Sequence, residues 1–187
     1  MAAVIEFQNV TKIYKRLFSE EKLAALSGVS FEMMPGQVCA FLGPNGAGKT
    51  TSISMLMGFF FPSSGQIRVF GRAPGDLAAK EQIGFLPENF AFHKFLTAPK
   101  LLRFHLRLAG RNPASTGTLI PDLLNKVKLN GYENLKIGRY SRGMVQRIGI
   151  AQALLCDPKL IVLDEPTSGL DPAGRREVLQ LLMQLKA

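Results

Sequence analysis

The feature that most constrains this chain is a glycine-rich turn that directly follows an apolar run at residues 38–42. Two glycines five positions apart, followed by Lys and Thr, form a phosphate-binding pattern. The apolar run predicts a buried strand, and Ile53, Leu56 and Met57 recur at helical spacing after the lysine. A strand, a loop of inward-pointing N–H groups and a helix N-terminus make an anion site, so we expect triphosphate binding. The predicted phosphate-binding residues are Gly43, Pro44, Asn45, Gly46, Ala47, Gly48, Lys49, Thr50 and Thr51.

Two other interpretations of the same turn exist. A glycine-rich surface turn with no ligand is possible for any such composition, but the flanking strand and helix patterns argue against it. A dinucleotide-binding turn requires a third glycine three residues after Gly48, and Thr51 stands there. The triphosphate interpretation is therefore favoured.

Composition and charge bound the class of protein. The chain has 187 residues, 47% of them hydrophobic and 20% charged, which is typical of a globular domain. No apolar run has the length of a membrane span, so we expect a cytoplasmic protein. The net charge of +9 suits an anionic ligand, an acidic partner, an anionic membrane surface or simply a solvated exterior. Cys39 and Cys156 lie in apolar runs and are predicted to be packed thiols.

The chain changes character along its length. Alternating patterns up to residue 70 predict strands, and the charged residues 15–22 predict an exposed hairpin tip. Helical spacing then dominates, with a stripe of Leu101, Phe104, His105 and Leu108 on which the histidine is expected to be packed. A further helical pattern covers residues 119–129, and a long one begins at Ser141. This order predicts an α/β core with an inserted helical subdomain.

A second chemical signal follows the apolar run at residues 160–163. Asp164 and Glu165 come directly after it, at the carboxyl end of a predicted parallel strand, where open α/β sheets bind ligands. Because Mg²⁺ prefers hard oxygen ligands, Thr50 and Asp164 are the expected metal-binding pair. Glu165 is then placed to accept the proton of an attacking water.

Taken together, these residues resemble the nucleotide-binding domain of an ATP-binding cassette transporter. The resemblance implies that Tyr14 stacks on adenine, that Glu165 is the catalytic base, and that Asp171 closes an interface loop that begins at Ser168. It also implies a three-layer P-loop core with a mainly parallel central sheet, an N-terminal antiparallel β subdomain and an inserted helical subdomain. Residues 1–88 and 157–187 would form the core with its β subdomain, and residues 89–156 the helical subdomain, within a single domain spanning 1–187.

The resemblance includes two departures from the family pattern. Tyr140-Ser141-Arg142-Gly143-Met144 stands where the family has Leu-Ser-Gly-Gly-Gln, so only Ser141 and Gly143 keep their expected contact with ATP on the opposite subunit. This variant resembles that of bacterial exporters with separate ATPase and permease chains. Glu88 stands where the family has Gln; it is expected to bind Mg²⁺ and ATP, although a plain loop acid is the alternative.

The resemblance therefore implies an ATPase that binds ATP and Mg²⁺, dimerises on ATP and drives a separate membrane permease from the cytoplasmic face. Phe90, Phe92 and Phe95 lie close to where the family binds its permease; they are either an exposed partner site or buried anchors. No histidine follows the signature segment, so the chain is expected to be a piece that stops before the family's switch histidine. No nucleic acid partner is expected.

Two other classes of function are alternatives to a permease-driving ATPase. A soluble cassette ATPase acting as a mechanical switch on ribosomes or DNA would use the same site without a permease. A GTP switch needs a guanine-reading Asn-Lys-x-Asp, and the nearest match, Asn125-Lys126-Val127-Lys128, lacks the aspartate.

Overall fold

The structure is a computed structural model that describes residues 2–15 and 22–185. In chain order the strands are β1 (Ile5–Lys15), β2 (Lys22–Met33), β3 (Ser64–Val69), β4 (Ile83–Leu86) and β5 (Leu160–Leu163). The helices are α1 (Lys49–Leu56), α2 (Leu77–Lys80), α3 (Ala98–Leu108), α4 (Leu119–Lys126), α5 (Arg142–Leu154) and α6 (Pro172–Leu185). Short 3₁₀ turns cover Pro113–Thr116 and Ile137–Arg139. The contacts divide the chain into two units, residues 1–81 and 82–187.

The first unit is built on an antiparallel sheet in the order β2-β1-β3. Phe7 of β1 lies opposite Phe31 of β2 on one side and Ile67 of β3 on the other, and its ring stacks on Phe31 at 4.5 Å between centroids. Phe7, Val10 and Val69 are fully buried, as alternating apolar positions require. The strands predicted at residues 5–13 and 29–33 are confirmed, and the strand predicted at residues 67–70 is confirmed up to Val69, because Phe70 lies just beyond β3. The predicted hairpin tip falls largely on residues 16–21, which lie outside the described residues.

The buried strand predicted at residues 38–42 is wrong. These residues are assigned no strand, and Val38 and Leu42 are 68% and 90% exposed. Only Phe41 is anchored, by an edge-on contact with Phe31 at 5.6 Å between centroids. A strand exists only where a neighbouring strand supplies the ladder hydrogen bonds, and an apolar pattern carries no information about that neighbour. The prediction of a packed Cys39 fails for the same reason, because its thiol is exposed.

The second unit combines a parallel strand pair with helices. β4 pairs with β5 from Ile83↔Leu160 to Leu86↔Leu163. One face of β5 is buried and the other is half-buried, so the prediction of burial on both faces holds in part. A Cβ added at Gly84 of β4 would stand 2.1 Å from the Ala153 carbonyl oxygen of α5, so only glycine permits this approach. Cys156, just after α5, is half-buried.

Helix α3 turns a different face to the core from the one predicted. Its buried residues are Ala98, Leu101, Leu102 and Leu106, whereas Phe104 and Leu108 are exposed. The predicted stripe and the observed one both have helical spacing and share Leu101. Which one is buried depends on the surface that α3 meets, and its neighbours in the core are residues of α4 and α5.

No helix in the described ranges combines the length and apolar composition that a membrane span requires.

Candidate nucleotide-binding site

The phosphate loop is held in shape by its own lysine. The Lys49 ammonium donates to the Gly43 carbonyl at 2.8 Å and to the Pro44 carbonyl at 3.1 Å. Gly46 and Gly48 have φ values of 85° and 83°, in the left-handed region that favours glycine. Lys49 is the first residue of α1, so the loop ends at a helix N-terminus whose N-cap, Gly48, has no side chain to cap it. The loop therefore places one ammonium beside a helix N-terminus, an arrangement that suits a polyphosphate.

Gly48 joins the loop to the sheet of the first unit. A Cβ added at Gly48 would stand 2.4 Å from the carbonyl oxygen of Ala25 on β2 and 2.7 Å from a methyl of Leu26. The buried Ser52 donates from its hydroxyl to the Gly48 carbonyl at 2.9 Å and fixes the first turn of α1. Sequence reasoning missed Ser52. The only sequence feature that indicates this role is the position of the serine four residues after the N-cap glycine, a spacing that allows this backbone contact.

Tyr14 lies near the end of β1, where it pairs with Leu23 of β2, and its side chain is 36% exposed. The Lys12 ammonium lies over its ring, 5.3 Å from the centroid. One cation is therefore in contact with the aromatic that the family resemblance assigns to adenine. Lys12 belongs to no motif in the sequence that would predict this contact.

In the second unit, the three carboxylates predicted from the sequence follow the carboxyl ends of β4 and β5. Asp164 and Glu165 come directly after β5, and Glu88 follows β4 by two residues. The Asp164 amide donates to the Leu86 carbonyl at 2.9 Å, which extends the ladder, and Asp164 is 6% exposed. Glu165 is exposed and has φ 47°, a left-handed conformation that is uncommon for a residue with a side chain.

Carboxylate oxygens suit Mg²⁺, which usually takes one or two carboxylates together with phosphate oxygens. Among the described residues, however, no three His, Cys, Asp or Glu side chains come together as a metal-binding cluster. Thr50, the predicted metal ligand of the first unit, lies in the first turn of α1 and is exposed. Its pairing with Asp164 and Glu88 stays a prediction. Thr51, next in α1, is half-buried.

The signature segment, residues 140–144, lies at the N-terminus of α5. Ser141 is the N-cap, and its hydroxyl accepts a hydrogen bond from the Met144 amide at 3.2 Å. Gly143 is half-buried, and the nearest atom to a Cβ placed there is the Ser141 hydroxyl oxygen at 4.0 Å. The Tyr140 hydroxyl donates to the Tyr132 carbonyl, and burial, with the nearby Glu133 carboxylate, raises the pKa of Tyr140.

Arg142 connects this segment to the predicted interface loop. Its guanidinium lies over Gly169, where an added Cβ would stand 2.1 Å away. Asp171 ends that loop and caps α6, because its carboxylate accepts the Gly174 amide at 3.2 Å. The departure from the family pattern at Arg142 therefore fills a specific place beside Gly169.

A groove of about 260 Å³ lies beside α3 in the second unit. Phe90, Phe92, His93, Phe104 and His105 line it together with Leu86, Pro87, Ala91, Leu101 and Gln152. The two alternatives for the phenylalanines both apply in part, since Phe90 and Phe92 pack against the core and Phe95 is 69% exposed. His105 is partly buried between aromatic rings, as expected, and this burial, with the nearby His93, lowers its pKa.

Comparison with known proteins identifies relatives over nearly the whole chain. Residues 26–168 match the family model described as ABC transporter. The uncharacterized ABC transporter ATP-binding protein YxlF of Bacillus subtilis is 44% identical over 87% of this chain. The Nod factor export ATP-binding protein I of Burkholderia pseudomallei is 37% identical over 99% of it. The chain spans 54% and 60% of these two relatives, so it corresponds to little more than half of their length.

A solved structure with the same fold is the dimeric post-hydrolysis state of the ATP-binding cassette MJ0796 bound to ADP and Pi. It has a TM-score of 0.80 and 28% identity, and the match covers 97% of this chain and 82% of that one. The predicted fold class is confirmed by this likeness, together with the antiparallel N-terminal sheet and the parallel strand pair.

The two loop glycines predict different costs of substitution. Gly46→Ala places a side chain at positive φ with no heavy atom within 4 Å of its Cβ, so it should destabilise by about 1–2 kcal/mol. Gly48→Ala adds a collision with the Ala25 carbonyl and should cost at least about 1 kcal/mol more. Urea unfolding followed by circular dichroism measures both. Equal losses for the two variants would contradict the close approach of loop and sheet.

Proposed function

The chain belongs to the ABC transporter family, and we propose on this basis that it binds and hydrolyses ATP to drive a separate membrane permease. The observation that carries the proposal is the phosphate loop, in which glycines at positive φ lead to Lys49 at the start of α1. The names of its relatives, which include an export ATP-binding protein, support it further.

In the proposed site, adenine stacks on Tyr14 and the phosphates lie on residues 43–51. Thr50, Glu88 and Asp164 are proposed to hold Mg²⁺, which, when bound, neutralises charge on the phosphate oxygens. Glu165 accepts a proton from water as the water oxygen bonds to the γ-phosphorus and the bond to the bridging oxygen of ADP breaks. The exposure of Glu165 at the edge of the β4–β5 pair is compatible with this role.

We propose that hydrolysis takes place in a homodimer. Ser141 and Gly143 at the N-terminus of α5 would meet the γ-phosphate held by the opposite subunit, and Asp171 would lie at the same interface. The solved cassette MJ0796, whose structure is described as dimeric with ADP and Pi, supports this arrangement.

The groove beside α3 is the proposed permease contact. Residues 89–121, which include most of its lining, contain no Asp or Glu, and Lys100, Arg103 and Arg107 lie exposed along α3. An apolar side chain flanked by carboxylates would match both the aromatic groove and the basic residues exposed on α3. We therefore propose that the permease presents a short amphipathic helix with acidic flanks. A soluble switch without a permease would leave this groove without a role.

Lys49→Ala should abolish most ATP binding, because the ammonium is the side-chain cation expected against the β- and γ-phosphates. Lys80→Ala removes the same charge from α2 and serves as the matched control. Isothermal calorimetry with MgATP measures both, and circular dichroism checks that each variant is folded. Unchanged affinity in Lys49→Ala would overturn the assignment of the loop.

Glu165→Gln should retain ATP affinity and lower phosphate release at least about 100-fold, because an amide cannot accept the proton from water. Asp122→Asn makes the same change of carboxylate to amide on the exposed side of α4 and should hydrolyse normally. Turnover at the unsubstituted rate in Glu165→Gln would mean that another group is the base.

A helical peptide with one phenylalanine flanked by glutamates should bind this chain more tightly than the same peptide flanked by lysines. The difference in affinity between the two peptides should become smaller as salt screens the basic residues of α3. Phe104→Ala, which removes one wall of the groove, should weaken the acidic peptide, as measured by fluorescence anisotropy of a labelled peptide. Equal binding of the two peptides, or binding indifferent to Phe104→Ala, would contradict this contact.

A further inference from the structure

Lys12 makes three contacts in the first unit that join two separate parts of the chain. Its ammonium donates to the Phe61 carbonyl at 2.7 Å, beyond the C-terminal end of α1. The same ammonium lies 5.3 Å from the centroid of the Tyr14 ring and 6.0 Å from that of Phe60. Both distances are within the range in which a cation is attracted to an aromatic face.

We propose that Lys12 is a positioning residue for the nucleotide base. The Lys12 ammonium holds one face of the Tyr14 ring, so that the purine stacks on the opposite face. This inference rests on the proposed function, since it assigns a role within the same ATP site.

The sheet brings Tyr14 close to the phosphate loop. Tyr14 pairs with Leu23 of β2, and Lys12 pairs with Leu26. The loop touches β2 between these two pairs, because Gly48 lies against the Ala25 carbonyl. With about 3.3 Å per residue along a strand and about 5 Å between paired residues, Tyr14 lies within roughly 10 Å of this contact. A base on Tyr14 and phosphates on the loop can therefore belong to one nucleotide.

The anchor on Phe61 explains why the cation can fix the ring. Tyr14 is 36% exposed near the end of its strand, so packing alone leaves its orientation weakly determined. The Phe61 carbonyl holds the Lys12 ammonium, and the ammonium attracts the face of Tyr14. A ring ordered before the nucleotide arrives costs less to order on binding, which increases affinity without adding a contact to the ligand.

The effect should depend on the base and not on the phosphates. Stacking on an aromatic ring tolerates any base because each has a π face, so ATP and GTP should both depend on Lys12. Inorganic triphosphate has no base and should not. This difference separates a positioning role from a general electrostatic one, because loss of a nearby positive charge would weaken all three ligands.

The experiment compares MgATP, MgGTP and magnesium triphosphate by isothermal calorimetry. Lys12→Met removes the charge and keeps the length of the side chain, whereas Lys12→Arg keeps a cation. Lys80→Met removes one charge from the same unit at a site with no proposed role. Tyr14→Ala and the double variant with Lys12→Met complete a cycle that measures whether the two residues act together.

Lys12→Met should weaken MgATP and MgGTP about two- to fivefold and leave triphosphate unchanged, as expected for a cation–π contact at an exposed site. Lys12→Arg should restore affinity, and Lys12→Met should have no effect when Tyr14 is already Ala. Unchanged triphosphate binding also shows that the loop is intact in each variant.

Three results would overturn the inference. Equal weakening of all three ligands would show a general effect of charge, and an undiminished loss in the Tyr14→Ala background would show that Lys12 does not act through the ring. Tighter ATP binding in Lys12→Met would show that the lysine occupies the face that the base needs. Absence of MgATP binding by the unsubstituted chain would instead overturn the proposed function, and this inference with it.

Discussion

The candidate phosphate loop of the first unit depends on one close approach of backbone to backbone, that of Gly48 to the Ala25 carbonyl of β2. No other residue type fits there, because Gly48 has both positive φ and no room for a Cβ. This approach fixes where α1 begins relative to the antiparallel sheet. The same sheet carries Tyr14 and Lys12, so the proposed base and phosphate contacts belong to one sheet. A site assembled in this way is shaped by the sheet before any ligand is bound.

The parts of the fold that were predicted correctly are those determined by local sequence. Helix α5 begins where Ser141 supplies an N-cap, as the pattern that starts at Ser141 predicts. β5 follows from its run of apolar residues, and the glycines of the phosphate loop from their spacing. Each of these signals is complete within about ten residues, so no knowledge of distant contacts is required.

The errors and omissions concern residues whose state is decided by distant partners. The run at residues 38–42 lacks a strand because a ladder needs a neighbour, and α3 buries Leu102 and Leu106 because α4 and α5 pack on that side. Lys12 and Ser52 are ordinary residue types whose importance appears only when Tyr14 and Gly48 are seen beside them. The roles of Glu88, Asp164, Glu165 and Thr50 stay predictions, since they concern bound metal and water.

Gly84 and Gly149 together determine how closely α5 approaches β4. Gly84 admits the backbone of α5 against β4, and Gly149 of α5 faces Leu86 and Phe90, with an added Cβ 2.8 Å from the Leu86 side chain. Helix and strand therefore approach more closely than a Cβ at either position would allow. A methyl group at Gly149 would press on Leu86 and Phe90, and one at Gly84 would press on the Ala153 carbonyl, so either would displace α5 from β4. The spacing between this strand and this helix is thus set by the absence of two methyl groups.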